Sequence, residues 1–310
     1  MQTRAVAAAL GAILGFSALF LPTSTAHAAE TDHGPVVVAH RGASAYAPEN
    51  TLEAVDKADE LDTTWVENDV QRTRDGALVV IHDTNLKRTT DVEEVFPDRS
   101  PWNVADFTLA EIKRLDAGSW FSADYKGARV PTLSEYLDRV EDNHQKLLLE
   151  LKAPDLYPGI EAQTLWVLFR EGWLDRSHVR SKLIIQSFDA DAIKTVHTIR
   201  RDVKTGFLGT PAVADLPAYA EFTDQINPSQ GTVTPEYVKA VHSLRGPHQR
   251  TLELFTWTVN DAEIAKRLAG YGVDGIITNK PDVVRDATQG VTADTGSGAS
   301  REPAGAGATP

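Results

Sequence analysis

Residues 36–53 read VVVAHRGASAYAPENTLE: a strand, a turn and the start of a helix. Val36, Val37 and Val38 form an apolar, β-branched run of the kind found in strands buried on both faces. The run ends in His40, Arg41 and Gly42, so a histidine and an arginine stand where the strand stops. Pro48 leads into Asn50, and Glu53 follows three residues on. That Asn-x-x-Glu spacing resembles a capping box and predicts a helix from about Thr51.

The rest of the chain repeats this strand-to-helix unit. Further strands are expected at residues 65–70, 77–82, 146–151, 182–187, 204–209, 224–227, 252–259 and 275–278. Helices are expected between most of them. One covers 52–61, and one is opened by Thr132-x-x-Glu135. One runs over 237–244 behind Pro235. One runs over 262–271, opened by Asn260-x-x-Glu263 and closed by Gly272. Such repetition from Pro35 to about Asp286 predicts an α/β fold, a (β/α)8 TIM barrel, with a doubly wound open sheet as the alternative. The strands at 65–70 and 77–82 are joined only by residues 71–76, where Asp75-Gly76 signals a turn. That link is too short for a helical crossover, so this unit either lacks its helix or forms a local hairpin. A small insertion after the third strand, residues 85–130, has no place in the repeat. It carries a short helix at 108–114, opened by Thr108-x-x-Glu111, and the aromatics Trp102, Trp120, Phe121 and Tyr125. Because it follows His82, it should lie over the face that holds His82, either shaping a pocket or serving as a structural flap.

Composition narrows the partners. The chain has 310 residues and a formal net charge of -13, which disfavours nucleic acid and docking on anionic lipid by charge alone. Arg4, the apolar run 5–21 and Ala26-His27-Ala28 read as a signal peptide over residues 1–28, cleaved near Ala28, so the protein is expected to be secreted. A membrane anchor is the competing reading, but the run is shorter than the ~20 residues of a spanning helix. Residues 29–34 are a lead-in, 35–287 the barrel, and 288–310 a tail of Gly, Ala, Thr and Ser expected to be disordered. With no cysteine, stability must come from the core or a bound metal, and any metal site must use oxygen or imidazole ligands. The acidic surface favours a monomer without a stable membrane anchor.

Active sites of such barrels sit at the strand C-termini. The strand ends here supply His40 and Arg41, Glu67 and Asp69, His82 and Asp83, Glu150 and Lys152, Gln186 and Ser187, then Trp257 and Asn260. Side chains alternate along a strand, so Glu67 and Asp69 share a face while Asn68 points the other way. Glu150 and Lys152 share a face in the same manner. An inward carboxylate in an apolar strand costs several kcal/mol unless paired or bound to metal. Three of them together repel one another, and a hard divalent ion, Ca2+ or Mg2+, resolves the conflict. A salt-bridge cluster with Arg41 and Lys152 is the alternative. His40 and His82 suit a general base and a general acid near neutral pH. Arg41 and Lys152 make a cationic spot suited to a phosphate ester, unless they only pair with the carboxylates.

At these residues the chain resembles the glycerophosphodiester phosphodiesterase family, over residues 36–283. The resemblance rests on four ordered blocks. They are His40-Arg41-Gly42 with Pro48-Glu49-Asn50-Thr51, Glu67-x-Asp69-Val70-x-x-Thr73-x-Asp75-Gly76 with His82-Asp83, Glu150-Leu151-Lys152, and Asp274-Gly275-Ile276-Ile277-Thr278-Asn279 with Pro281. It implies a phosphodiesterase barrel with an insertion after the third strand. It implies one divalent cation on Glu67, Asp69 and Glu150, acid–base catalysis by His40 and His82, and phosphate contacts from Arg41 and Lys152. It also implies attack on phosphorus by the neighbouring glycerol hydroxyl, with a cyclic phosphate then opened by water. His40 is favoured as the first base. Asn68 departs from the pattern, where an apolar residue is usual, and Glu49 is read as supporting a turn or the site. Two other functions compete with hydrolysis of glycerophosphocholine or glycerophosphoethanolamine. A lysophospholipase D or sphingomyelinase D would hold a lipid chain against Trp120, Phe121, Phe207 and Trp257, with Gln186 also in the pocket. A non-catalytic barrel that captures phosphate esters would lack at least one acid–base or metal position, and none is missing.

Overall fold

The computed structural model describes residues 34–291. It contains nine strands: β1 Val36–Ala39, β2 Trp65–Arg72, β3 Leu78–Val80, β4 Lys146–Leu151, β5 Leu183–Ser187, β6 Lys204–Leu208, β7 Gln225–Asn227, β8 Glu253–Thr256 and β9 Gly275–Thr278. Eight of them run parallel in the order β1-β9-β8-β7-β6-β5-β4-β2, and the β1–β2 pairing closes the ring. The fold is therefore a closed (β/α)8 barrel and not an open sheet. The ninth strand, β3, lies outside the ring and pairs antiparallel with β2, Val70 facing Val80 and Arg72 facing Leu78. The short link between residues 70 and 77 thus makes a local hairpin. Gly76 takes φ +88°, a value few other residues tolerate, and Thr73 Oγ1 accepts from Ala77 N at 2.9 Å to tie the turn. One expectation changes with it: His82 is not on a barrel strand beside β2 but on the segment that leaves the hairpin.

Alternation sorts the two faces of the barrel wall. Val66, Val70, Leu147, Leu149 and Leu151 pack outward against Leu133, Tyr136, Leu137 and Val140 of helix Leu133–Asp142. Val38, Leu148, Ile184, Phe255 and Ile277 fill the inside. Two residues further along the same strands and on the same face come His40, Glu150, Gln186, Trp257 and Asn279. An apolar plug thus supports a polar rim.

The Thr108–Glu111 and Thr132–Glu135 capping boxes both form. The two Asn-x-x-Glu boxes do not, and in each the cap lies one residue later. Thr51 caps helix Leu52–Glu60 by accepting from Ala54 N, and Asp261 caps helix Ala262–Gly270 by accepting from Ile264 N. Asn50 adopts φ 59° and donates to Asp69 Oδ2 at 2.8 Å. Asn260 Oδ1 accepts from Asn279 N at 2.8 Å. Both asparagines are turned to the barrel rim, where their oxygens accept from Asp69 N, at 3.4 Å, and from Asn279 N rather than from a helix.

The segment after the hairpin is packed around a core of its own, with Ile81, Leu86, Val92, Val104, Phe107, Ile112 and Leu115 buried together. Thr288, expected to start the tail, instead ends helix Pro281–Thr288, where its hydroxyl donates to Val284 O. The signal-like segment and residues 292–310 of the tail lie outside the described residues. Among the described residues no helix is long and apolar enough to cross a membrane.

Candidate active site

Glu67 and Asp69 of β2 and Glu150 of β4 point into the barrel, almost fully buried, and each offers an oxygen within 4.8 Å of the others. Burial comes first in setting their ionisation, and their mutual repulsion adds to it. Glu67 is pushed well above the carboxylate range, and Glu150 to about 7. Burial would raise Asp69 too, but Arg41 and Lys152 beside it bring it below its ordinary value. Lys152 Nζ lies 2.8 Å from Glu150 Oε1 and 3.5 Å from Asp69 Oδ1, and Arg41 Nε lies 3.4 Å from Asp69 Oδ2. Two cations therefore serve three carboxylates, and Arg41 is shared further with Glu49 at 2.8 Å. Negative charge is in excess. Asp69 Oδ1 is buried with no hydrogen-bond partner among the described residues. An oxygen-only donor set with an orphaned acceptor fits a hard divalent cation held by Glu67, Asp69 and Glu150.

The turn after β1 sets the rest. Arg41 takes φ 57° and Gly42 φ 77°, and a Cβ on Gly42 would stand 2.6 Å from the Ala54 backbone. Only glycine lets the turn press against the helix behind it. This aims Arg41 N at Glu67 Oε2, at 2.9 Å, with its guanidinium over the carboxylates. His40 Nδ1 lies 2.6 Å from Asn279 Oδ1, and His82 Nδ1 lies 2.7 Å from Asp83 Oδ1. Amide and carboxylate oxygens only accept, so Nδ1 is the donor in both rings and each Nε2 is left for another partner. Burial and the Arg41 charge lower His40 to about 4, so its imidazole is neutral near pH 7. Burial also lowers His82, while the Asp69 and Asp83 carboxylates work in the opposite direction.

Both histidines, Arg41, Lys152, Glu67 and Glu150 line one cavity of about 80 Å³. Gln186 and Trp257 line it too. Three other expected pocket residues do not. Phe207 is on the outer face of β6, packed at a tilt against Tyr219 with ring centres 4.6 Å apart, because alternation turns Leu208 inward instead. Trp120 and Phe121 pack on each other within the insertion, 5.7 Å between centres, and do not line the cavity. Phe188, which the sequence reading passed over, lines the cavity with Lys152 Nζ 5.4 Å from its ring centre. It sits two residues beyond Gln186, and the same alternation could have found it. A larger cavity of about 550 Å³ opens beside Lys204 and Glu253 at the strand N-termini and contains none of the candidate residues.

The model of the glycerophosphoryl diester phosphodiesterase family matches residues 40–283, which span every residue of this cavity. The chain belongs to that family. It is 35% identical over 269 residues to a glycerophosphodiester phosphodiesterase of Bacillus subtilis, covering 82% of this chain and 87% of that one. It is 35% identical over 257 residues to a glycerophosphodiester phosphodiesterase of Caldanaerobacter subterraneus, covering 80% and 96%. Among solved structures it is similar to an Oleispira antarctica phosphodiesterase in complex with its product sn-glycerol-3-phosphate, with a TM-score of 0.70, 27% identity and coverage of 82% and 96%. As a glycerophosphodiester phosphodiesterase the chain is an enzyme, and the non-catalytic binding barrel is set aside.

Proposed function

We propose that this enzyme is secreted, depends on a divalent cation, and hydrolyses small glycerophosphodiesters to glycerol phosphate and an alcohol. One observation carries the reading. Two histidines, each with Nδ1 held and Nε2 free, line the same small cavity as Glu67 and Glu150 of the oxygen-only triad and two cationic side chains. A cation on Glu67, Asp69 and Glu150 would supply charge stabilisation for the phosphoryl oxygens.

The protein side chains then divide the work. Arg41 and Lys152 hold the phosphate oxygens. His40, neutral because of its burial, takes the proton from the glycerol hydroxyl next to the phosphate as that oxygen bonds to phosphorus. His82, in its protonated form with Nδ1–H on Asp83, donates a proton to the departing alcohol as its P–O bond breaks. The roles reverse for water: His82 takes its proton while His40 returns one to the glycerol oxygen, opening the cyclic phosphate. The sn-glycerol-3-phosphate bound by the Oleispira antarctica relative supports a glycerol phosphate product. With Phe207, Trp120 and Phe121 all away from the cavity, a deacylated diester is favoured over a lysolipid as the substrate. Export rests on Arg4, the apolar run 5–21 and Ala26-His27-Ala28.

The test is alcohol release from glycerophosphocholine and from a lysophospholipid in parallel, with EDTA and then with Ca2+ or Mg2+ restored. Turnover of the diester that EDTA abolishes and a cation restores is expected, with loss of at least about a hundredfold in His40→Ala. Turnover of the lysolipid alone would move the enzyme to the lysophospholipase D class.

A further inference from the structure

Arg88 connects two parts of the site that lie far apart in sequence. Its Nη1 and Nη2 donate to the two oxygens of Glu49, each at 2.8 Å. Its Nε and Nη2 donate to the two oxygens of Asp83, at 2.7 and 3.0 Å. Each carboxylate is engaged on its other side by a candidate site residue. Glu49 Oε1 accepts from Arg41 Nη1 at 2.8 Å, and Asp83 Oδ1 accepts from His82 Nδ1 at 2.7 Å. A continuous chain of charge-assisted bonds thus runs Arg41–Glu49–Arg88–Asp83–His82. A guanidinium grips two carboxylates in one plane and fixes their orientation, which a lysine cannot do.

The insertion supplies this arginine. Leu86, two residues before it, is buried in the insertion core and donates its N–H to Trp102 O at 2.9 Å. Thr90, two residues after it, bonds Leu86 O at 2.6 Å. The backbone that carries Arg88 is therefore held on both sides by the insertion, while its side chain reaches the barrel rim.

We propose that Arg88 is a positioning residue: through Asp83 it locks His82 in the Nδ1–H tautomer with Nε2 free, and through Glu49 it fixes Arg41, so that the two keep one spacing. The inference rests on the roles given to His82 and Arg41 under the proposed function. The Asp83 carboxyl agrees with it. Its bonds to Arg88 come first among the causes that lower it to about 2, so it remains an acceptor for His82.

The experiment compares the wild-type chain with Arg88→Ala and Arg88→Lys. Long-range 1H–15N correlation at a pH where His82 is neutral reads its tautomer directly, with no need for turnover. A single Nδ1–H form is expected in the wild type and a mixture of both tautomers in Arg88→Ala. With glycerophosphocholine, kcat should fall about ten- to a hundredfold and KM should rise severalfold in Arg88→Ala, the scale expected when reacting groups are misplaced by about an ångström. Arg88→Lys should recover only a minor part, and carries the test alone if the alanine variant does not fold. In an Asp83→Asn background Arg88→Ala should cost less than about a third of what it costs alone, because both changes break one chain. An unchanged tautomer, or kcat/KM within about twofold of wild type in both variants, would overturn the proposal. A tautomer that changes on Arg88→Ala, in a protein whose wild type hydrolyses no glycerophosphodiester, would sink the substrate reading and leave the positioning role standing.

Discussion

Asn68 sits between Glu67 and Asp69 but faces the other way, on the side of β2 that carries Val66 and Val70. It is fully buried, and neither Oδ1 nor Nδ2 has a hydrogen-bond partner among the described residues. An unpaired buried amide costs about 1–3 kcal/mol, and a leucine has nearly its shape. Asn68→Leu should therefore raise the unfolding free energy by about 1–3 kcal/mol in urea titrations, with kcat/KM within about twofold of wild type. A loss of stability would mean that the amide finds a partner in solution and the reasoning is wrong. Strand alternation alone gave this orientation from the sequence, and it also turned Glu67, Asp69, Glu150 and Lys152 inward. The same rule needs a register before it can be applied, and β6 offers none: Lys204, Thr205 and Gly206 do not reveal which of Phe207 and Leu208 faces the barrel. Arg88 was illegible for another reason. Its partners, Glu49 and Asp83, meet it only through the fold of the insertion onto the rim.

Short elements show how the site competes with local signals. Thr108 and Thr132, away from the rim, make the capping boxes that their spacing predicts. Asn50 and Asn260, on the rim, do not, and the reason is visible in what each side chain holds. Asn260 Oδ1 accepts from Asn279 N at 2.8 Å, and Asn279 Oδ1 holds His40 Nδ1 at 2.6 Å. Asp261, next to it, does the capping of helix Ala262–Gly270. Neighbouring residues thus separate the two roles. Asp261→Ala should lower stability by about 1 kcal/mol, the usual worth of an N-cap, and leave kcat almost unchanged. Asn260→Ala should keep the cap but let Asn279 shift, lowering kcat by about tenfold or more. Thermal denaturation and steady-state kinetics on the two variants would expose the reverse pattern if the assignment were mistaken. The hairpin of β2 and β3 was open in the sequence because Asp75-Gly76 marks a turn without saying whether the next strand joins the ring.

At the scale of the molecule, the barrel holds buried carboxylates in a chain that is already acidic, with a formal net charge of -13. Without a cation, burial and mutual repulsion raise Glu67 well above the carboxylate range and Glu150 to about 7, against an unfolded value near 4.5. In that form the folded protein binds more protons than the unfolded one between those limits. The stability these two glutamates contribute is then fully present below the unfolded value and is lost as pH rises through the folded one. A bound cation removes the repulsion and displaces the protons, so it should stabilise most where the free triad is most strained. Urea unfolding in EDTA should give a free energy that declines from about pH 5 to about pH 8, while added Ca2+ or Mg2+ should restore more at the upper end than at the lower. At a free cation concentration of about 100 times Kd the gain is about 2.7 kcal/mol. Calorimetric titration in buffers of different ionisation enthalpy should show proton release near neutral pH that fades once both glutamates are ionised. The carboxylate most exposed to opposing charge, Asp69, contributes little to that release, because Arg41 and Lys152 already keep it ionised. A flat stability profile in EDTA, with no gain from either cation, would mean that Arg41 and Lys152 suffice to hold the triad, and the metal would then have to be sought elsewhere or given up.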